Sequence, residues 1–438
     1  MSEMVKVVVD AMGGDNAPEE PVKAAVEAVK EKENIQVILT GVQDVIEAEL
    51  RKYPDYPKDR IRVVHASQVI ETAEPPVMAI QKKKDSSIVV GLNLVKKQEA
   101  DAFVSSGSTG AVLVGGQVIV GRIQGIRRPP LAPLIPTAKG VSLLIDCGAN
   151  VDARPDHLVQ FAQMGSIYME NVVGIKKPRV AIVNNGAEEE KGNALVKATF
   201  PLLKACKDIN FIGSIEARDI PSGYADVVVC EAFVGNVILK LYEGVGATLI
   251  SMIKKGMMTN IRSKMGALMV KPALKETLKS FDASEYGGAP LLGLKGLVVK
   301  SHGSAKSVEI RHAIFQCEQF KEEKINEKIE EFIAAEQKAQ AEEKSEKNKT
   351  GNCRKYYRQN RRRTVVELEM LKTIIEKTLR RNMDAITEKT TFVDDLGVDS
   401  LDFFRFLLIW RKLLMFVSPR RKPRRSLLSA MQWRLFAE

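Results

Sequence analysis

The sequence predicts an α/β fold built on a doubly wound, mostly parallel sheet. Three observations predict it. Short apolar, strand-like runs recur along the chain, at Val5–Val9, Gln36–Gly41, Ile61–His65, Ala102–Val104, Val141–Asp146, Arg179–Asn184, Asn210–Ile215 and Asp226–Cys230. They alternate little between apolar and polar, as strands covered on both faces do. Many end in a polar, glycine-bearing turn that leads into a helical pattern, and strand–turn–helix repeated in this way means parallel strands joined by crossover helices.

Taken in order, Val5–Val9 ends in D-A-M-G-G-D-N-A-P, Asp10 to Pro18, followed by a helical pattern over Pro21–Lys30. Asp10 and Asp15 flank Gly13 and Gly14, but two short carboxylates are too few for a metal site, so no metal is assigned. Gln36–Gly41 and Ile61–His65 are the next strands, and Glu74-Pro75-Pro76 opens a helix. Lys82-Lys83-Lys84 reads as a solvated helix face, with an acidic partner as the alternative.

The strand Ala102–Val104 leads into S-S-G-S-T-G, Ser105 to Gly110, and from Ala111 the chain turns apolar and helical. Free N–H groups at a helix start, the positive end of its dipole and glycines that admit close approach make an anion site. Ser106, Ser108 and Thr109 add hydroxyls, and Gly107 and Gly110 give room. Neither the G-x-x-x-x-G-K-[ST] nor the G-x-G-x-x-G pattern is matched. A glycine turn that merely caps its helix is the alternative reading.

Gly121–Pro136 reads as an extended connection that brings Arg127 and Arg128 near this loop in sequence. Val141–Asp146 ends in D-C-G-A-N, up to Asn150, and Pro155–Tyr168 is an amphipathic helix. Arg179–Asn184 ends in N-N-G-A-E-E-E-K-G-N, with Asn184, Gly186 and Lys191 as polar candidates. Asp226–Cys230 leads into E-A-F-V-G-N-V, which carries Asn236. Ligands of doubly wound sheets sit beyond the carboxyl ends of the strands. The loops from Asp10, Ser105, Asp146, Asn184 and Phe233 are therefore expected along one edge, around one site.

Leu249–Leu268 interleaves leucine, isoleucine and methionine with Lys254, Lys255, Arg262 and Lys264, as one basic amphipathic helix. An anionic membrane, an acidic protein or a dimer interface would each take such a face. The strand Leu297–Lys300 then ends in S-H-G-S-A-K, Ser301 to Lys306. There Gly303 and Ser304 lie beside His302 and Lys306, two groups able to supply a cation or a proton. Phe320–Lys347 reads as an exposed helix fading into a linker.

The net charge of +11 is unevenly placed: Gly351–Glu438 holds 20 Lys/Arg and 10 Asp/Glu, which leaves 46 against 45 for the rest of the chain. The basic balance therefore says nothing about what the large N-terminal part binds. Five scattered cysteines without a C-x-x-C pair point to a reducing compartment and exclude a disulfide frame or zinc knuckle. No leader is read at the start, and no run is read as long enough to cross a bilayer.

With these motifs in hand, residues 1–335 resemble the phosphate acyltransferase family of bacterial phospholipid synthesis. The stretches that carry the resemblance are D-A-M-G-G-D-N-A-P, S-S-G-S-T-G-A, L-I-D-C-G-A-N, N-G-A-E-E-E-K-G-N, F-V-G-N-V, E-Y-G-G-A-P-L-L-G and H-G-S-A-K, in that order. The family pattern differs at Ser108, Asn185 and Ala187. The resemblance implies an isocitrate/isopropylmalate dehydrogenase-like α/β fold and transfer of a fatty acyl group from acyl carrier protein to inorganic phosphate, giving acyl phosphate. It implies a homodimer in the cytoplasm and work beside a membrane glycerol-3-phosphate acyltransferase; peripheral contact at the inner face of the membrane through 249–268 is expected from the basic amphipathic pattern of that stretch. No cofactor is implied. It places phosphate and substrate binding at Asp10, Gly13, Gly14, Asp15, Ser106, Gly107, Ser108, Thr109, Gly110, Asn150, Asn184, Gly186, Lys191, Asn236, Gly303 and Ser304. His302 and Lys306 are the catalytic candidates. Phosphate is itself the nucleophile, so no serine–histidine triad is required.

A second resemblance follows a charged linker at 336–364. Residues 365–402 are similar to the first half of an acyl carrier protein, ending in T-T-F-V-D-D-L-G-V-D-S-L-D. Ser400 matches the serine that takes phosphopantetheine. Phe403–Glu438 then holds nine Lys/Arg and one Asp/Glu where a carrier continues with an acidic helix, which suggests a shifted reading frame and no native fold there. The competing activities are a phosphotransacetylase acting on acyl-CoA and a dehydrogenase of the same fold. The basic tail contains no nucleic-acid-binding module, and no nucleic-acid partner is assigned.

Overall fold

The computed structural model describes residues 3–280 and 287–349. Its elements are, in chain order, β1 (Val5–Asp10), α1 (Glu19–Glu31), β2 (Ile35–Gly41), α2 (Gln43–Leu50), β3 (Ile61–His65), α3 (Pro76–Lys82), α4 (Ser87–Lys96), β4 (Ala102–Ser105) and α5 (Thr109–Gly115), then β5 (Leu134–Thr137), β6 (Gly140–Ile145), α6 (Pro155–Tyr168), β7 (Arg179–Val183), α7 (Ala194–Ala205), β8 (Asn210–Ile215) and β9 (Val227–Val229). The long α8 (Ala232–Met257) and α9 (Ile261–Ser280) follow, and β10 (Ala289–Pro290), β11 (Leu297–Lys300), α10 (Ser307–Glu322) and α11 (Ile325–Lys349) complete the described chain.

The class read from the sequence is the one observed. Strands fall in the order β10-β11-β4-β1-β2-β3 in one sheet and β5-β6-β9-β7-β8 in a second. Every pair is parallel except β10 with β11 and β5 with β6. The strands are apolar because helices cover both faces: β1 and β4 carry Val7, Val9 and Val104 in one core cluster with residues of α1 and α10, and Val8 and Phe103 in another with residues of α4.

The two sheets meet edge to edge. Leu131, in the lead-in to β5, forms an antiparallel bridge with Leu291, just after β10. Ala132 N–H donates to Pro290 O at 3.0 Å and Leu292 N–H to Pro130 O at 3.1 Å. This junction fixes a direction. Going from Leu131 to Thr137 leads towards Gly140, the start of β6. In the first sheet the same sense of travel leads along β11 towards Lys300, its end, because Pro290 pairs with Val299 and Ala289 with Lys300. The parallel strands of the second sheet therefore run opposite to those of the first.

This corrects the single-edge expectation. The loops after Asp10 and Ser105 lie at one edge, with the turn after Lys300. The loops after Asp146 and Asn184, and the one leading to Phe233, lie at the opposite edge of their own sheet. The cause is the segment read as an extended connection within Gly121–Pro136, which is in fact an antiparallel strand. Its Pro136 is tolerated because β5 is an edge strand of its sheet.

Leu249–Leu268 is not one helix. Thr259 Oγ1 donates to Gly256 O at 2.9 Å, Asn260 Oδ1 accepts from Ser263 N–H at 2.8 Å, and these two polar residues end α8 and cap α9. By length and composition α8 is long and apolar enough to cross a membrane, against the sequence expectation. Its first half is anchored on the second sheet: Ala232 and Gly235 are buried, and the Tyr242 hydroxyl donates to Pro136 O. Further along, Leu241, Val245, Leu249 and Met252 are exposed and, with Lys240, Gly244 and Thr248, line a shallow groove of about 430 Å³.

Candidate active site

In the first sheet the chain runs from β1 outward to β2 and β3, then returns to place β4 on the other side of β1. The turns after β1 and β4 thus diverge at a topological switch point, where a doubly wound sheet leaves a crevice for a ligand. The two turns touch there. Ser105 Oγ donates to Asp10 Oδ2 at 2.7 Å and accepts from Gly107 N–H at 3.0 Å. Met12 N–H donates to the other Asp10 oxygen at 3.2 Å.

Glycine is required at the contact. A Cβ on Gly13 would stand 2.3 Å from Asp10 Oδ2 and 2.7 Å from Gly107 N. Gly14 has a φ of +97°, and a Cβ there would meet Gly303 O and the Ser106 Cβ at 2.8 Å. The third turn, after β11, closes the cluster. Asp15 N–H donates to Gly303 O at 2.8 Å, Ser301 N–H donates to Ser105 O at 3.0 Å, and Asn16 Nδ2 donates to Ser304 O at 3.1 Å.

Opposite these contacts α5 begins. Ser108 caps it through Ala111 N–H, so the capping alternative describes one of its roles. At Thr109 and Gly110, the first two helical residues, the N–H groups have no helical acceptor. His302 is exposed; its Nδ1 lies 2.8 Å from Ser304 Oγ and accepts from Ser304 N–H at 3.3 Å, which assigns the proton to Nε2. Lys306 is exposed as well, and its N–H donates to Glu309 Oε2 at 2.9 Å at the start of α10.

The residue that sequence reasoning missed is Lys300. It is buried at the end of β11, and its ammonium donates to Ser106 O at 3.3 Å and to Ser301 O. Burial pulls its pKa down to about 8; the Asp10 carboxylate opposes that, Lys240 adds to it, and Asp15 opposes it. Burial likewise pushes Asp10 above the usual carboxylate range, against the hydrogen bonds of Ser105 and Ser87, the Met12 N–H and the charge of Lys300. A lysine closing a strand of valines, directly before a serine–histidine–glycine turn, was the signal available in the sequence.

Asp10, Gly13, Gly14, Asp15, Ser106, Gly107, Ser108, Thr109, Gly110, Gly303 and Ser304 are thus brought together, with His302 and Lys306 beside them. Asn150, Asn184, Gly186, Lys191 and Asn236 are not among them within one chain. Asn150 brackets the loop at the opposite edge, with Nδ2 donating to Asp146 Oδ2 at 2.8 Å and to Pro129 O at 2.9 Å. Asn184 Nδ2 donates to Ser214 Oγ at 3.1 Å, and Lys191 pairs with Glu188 at 3.0 Å. Asn184, Asn185, Asn193, Glu231 and Val234 line a separate cavity of about 310 Å³. Asn236 is exposed on the first turns of α8. Arg127 is also displaced from the glycine loop: it pairs with Asp156 at the start of α6. Among the described residues no three His, Cys, Asp or Glu side chains are grouped to hold a metal.

The family model described as "Fatty acid synthesis protein" matches residues 5–328. A phosphate acyltransferase of Alkaliphilus oremlandii is 52% identical over 333 residues, covering 76% of this chain and 98% of that one. One of Clostridium acetobutylicum is 50% identical over 323 residues, covering 74% and 97%. The chain belongs to the phosphate acyltransferase family. Among solved structures, a phosphotransacetylase from Streptococcus pyogenes is 17% identical, with a TM-score of 0.48 over 73% of this chain and 94% of that one. The acyltransferase match ends before the carrier-like segment. The expectations for residues 365–402, Ser400 and the basic tail lie outside the described residues.

Proposed function

We propose that the chain transfers a fatty acyl group from the thioester of acyl carrier protein to inorganic phosphate, giving acyl phosphate for phospholipid synthesis. The observation that supports this best is the meeting of three glycine turns at the switch point, in front of the uncapped N–H groups of α5. Phosphate fits there: helix N-termini favour anions, and Thr109 and Gly110 offer backbone donors. The phosphate oxygen attacks the thioester carbonyl, the new C–O bond forms, and the C–S bond breaks. No protein nucleophile intervenes. Backbone N–H groups at Ser106, Ser108 and Gly303 stabilise the oxyanion, while those of Gly107, Ser304 and Ala305 are taken by Ser105 Oγ, His302 Nδ1 and His302 O and hold the turns in shape. The proton of the attacking hydrogen phosphate ends on the departing sulfur, to which the His302 Nε2–H, left free by the bond at Nδ1, donates a hydrogen bond as the C–S bond breaks, and Lys306 offsets the charge of the phosphate. No cofactor or metal enters these steps.

The donor is proposed to be the carrier protein rather than coenzyme A, on family grounds. A homodimer is proposed as well, supported by the exposed stripe Leu241, Val245, Leu249 and Met252 on α8, which a second copy would cover. Within such a dimer Asn150, Asn184, Gly186, Lys191 and Asn236 retain their proposed part in substrate binding. The proposed setting is the cytoplasm beside a membrane glycerol-3-phosphate acyltransferase, with peripheral contact through 249–268, where Met258, Ile261, Met265 and Leu268 are exposed. Phosphopantetheine at Ser400 remains a proposal from the carrier-like motif.

The test is release of free thiol by the full chain, titrated with phosphate, from acyl carrier protein and from acyl-CoA in parallel. Saturable, phosphate-dependent release with the carrier preferred supports the proposal. Preference for acyl-CoA makes it a phosphotransacetylase, and thiol release that ignores phosphate overturns phosphate as the acceptor.

A further inference from the structure

Lys300 has no part in the steps above, yet it sits where they converge. Its ammonium has three N–H groups. Two of them reach Ser106 O and Ser301 O, one carbonyl from each of the turns that follow β4 and β11. The peptide between Ser106 and Gly107 is therefore gripped at both ends: its oxygen by Lys300 and its N–H by Ser105 Oγ, which Asp10 holds in turn. Beside this ring the Ser301 hydroxyl is buried without a hydrogen-bond partner, although buried polar atoms are nearly always paired. For stability alone a buried ion is a poor choice, since a hydrophobic residue of similar volume serves as well or better. A cation kept behind the backbone donors of an anion site has a different use.

We propose that Lys300 is the positioning residue of the phosphate site: it locks the Ser106 and Ser301 turns into one arrangement and supplies, from behind their backbone, the positive charge that balances a bound phosphate. This rests on the phosphate-transfer reading and adds a residue and a pH dependence to it. The charged groups facing Lys300 are Asp10 from β1, Asp15 from the turn after it, and Lys240 from α8. Lys300 titrates near 8 in this setting. Above that pH it loses its charge, the carboxylates go unbalanced, and phosphate is repelled. A mere staple between two loops would show no such dependence.

The experiment compares the wild-type full chain with Lys300→Arg and Lys300→Met, measuring kcat and KM for phosphate from pH 6.5 to 9.5. The phosphate-induced rise in Tm is read on the same samples. In the wild type KM for phosphate rises about tenfold or more above pH 8 while kcat changes little. Arginine keeps its charge throughout, so Lys300→Arg gives a flat KM over the same range. Methionine removes the charge, raises KM about tenfold at pH 7.5 and abolishes the Tm rise. A flat wild-type profile overturns the proposal whatever the variants do, and so does a Lys300→Met protein with unchanged KM. If no thiol is released while the Tm rise still follows the charge at Lys300, the transfer reading fails and the role of Lys300 in binding phosphate stands.

Discussion

Replacing Gly13 by alanine perturbs the point on which the whole site closes. The new Cβ would lie 2.3 Å from Asp10 Oδ2, 2.9 Å from Asp10 Cγ and 2.7 Å from Gly107 N, where ordinary contact begins at 3.4 Å. Asp10 is 2% exposed and held by Ser105, so it has no free space to enter. One of the two turns must shift by roughly 1 Å, and overpacking of this kind costs about 1–3 kcal/mol of stability. The same shift displaces the Ser106–Gly110 donors. A misplacement of about 1 Å costs roughly 100-fold in rate, or about 2.7 kcal/mol of transition-state stabilisation. The assay is phosphate-dependent thiol release, with Tm measured on the same preparation so that lost fold is separated from lost geometry. Gly246→Ala is the control: a Cβ there meets nothing within 4 Å, and in the interior of α8 alanine favours the helix by about 1 kcal/mol. Its activity stays at the wild-type level. A Gly13→Ala enzyme within threefold of wild type, with unchanged KM for phosphate, would refute the reasoning.

Lys306→Ala is expected to raise KM for phosphate and lower turnover without changing Tm, because the side chain is exposed; unchanged kinetics would remove Lys306 from the scheme. His157 is buried beside Arg154, and burial, then the guanidinium groups of Arg154, Arg128 and Arg127, hold its pKa at about 4, below the ordinary 6.5. The unfolded chain therefore binds the extra proton first, so stability is lost as pH falls from about 6.5 to 4, by at most roughly 3 kcal/mol. Urea midpoints at pH 7 and pH 4.5 check this, and His157→Gln should shrink the difference between them. Gly235→Ala would set a Cβ 1.9 Å from Asp146 O, so it should lift the start of α8 off the second sheet, with a fall in Tm of several degrees as the readout.

The strands and their glycine turns were legible because each is written locally: short apolar runs such as Val5–Val9 and Ala102–Val104 read as buried strands, and Asp10–Gly14 or Ser105–Gly110 as close turns. The meeting of the Asp10, Ser105 and Ser301 turns was partly legible, through the rule for doubly wound sheets. Direction was not. Leu134–Thr137 contains a proline and follows Pro129-Pro130, so its local signals say loop, and only pairing with Gly140–Ile145 makes it a strand. That one antiparallel strand reverses the second half and parts Asn150, Asn184 and Asn236 from the glycine loop. Lys300 was hidden for a related reason. Its role comes from partners 194 residues away, at Ser106, and from burial, neither of which periodicity records. The break in Leu249–Leu268 was there to be read: Thr259 and Asn260 are the hydroxyl and amide that a cap uses.

The central claim is that phosphate, held by these turns, is the acyl acceptor. The most direct measurement follows one turnover mixture of full-length chain, acyl carrier protein thioester and phosphate, counting free thiol and hydroxylamine-trapped acyl phosphate together. Equal amounts of the two, both vanishing when phosphate is withheld, are predicted. Thiol without acyl phosphate, or thiol formed at the same rate in the absence of phosphate, would contradict it.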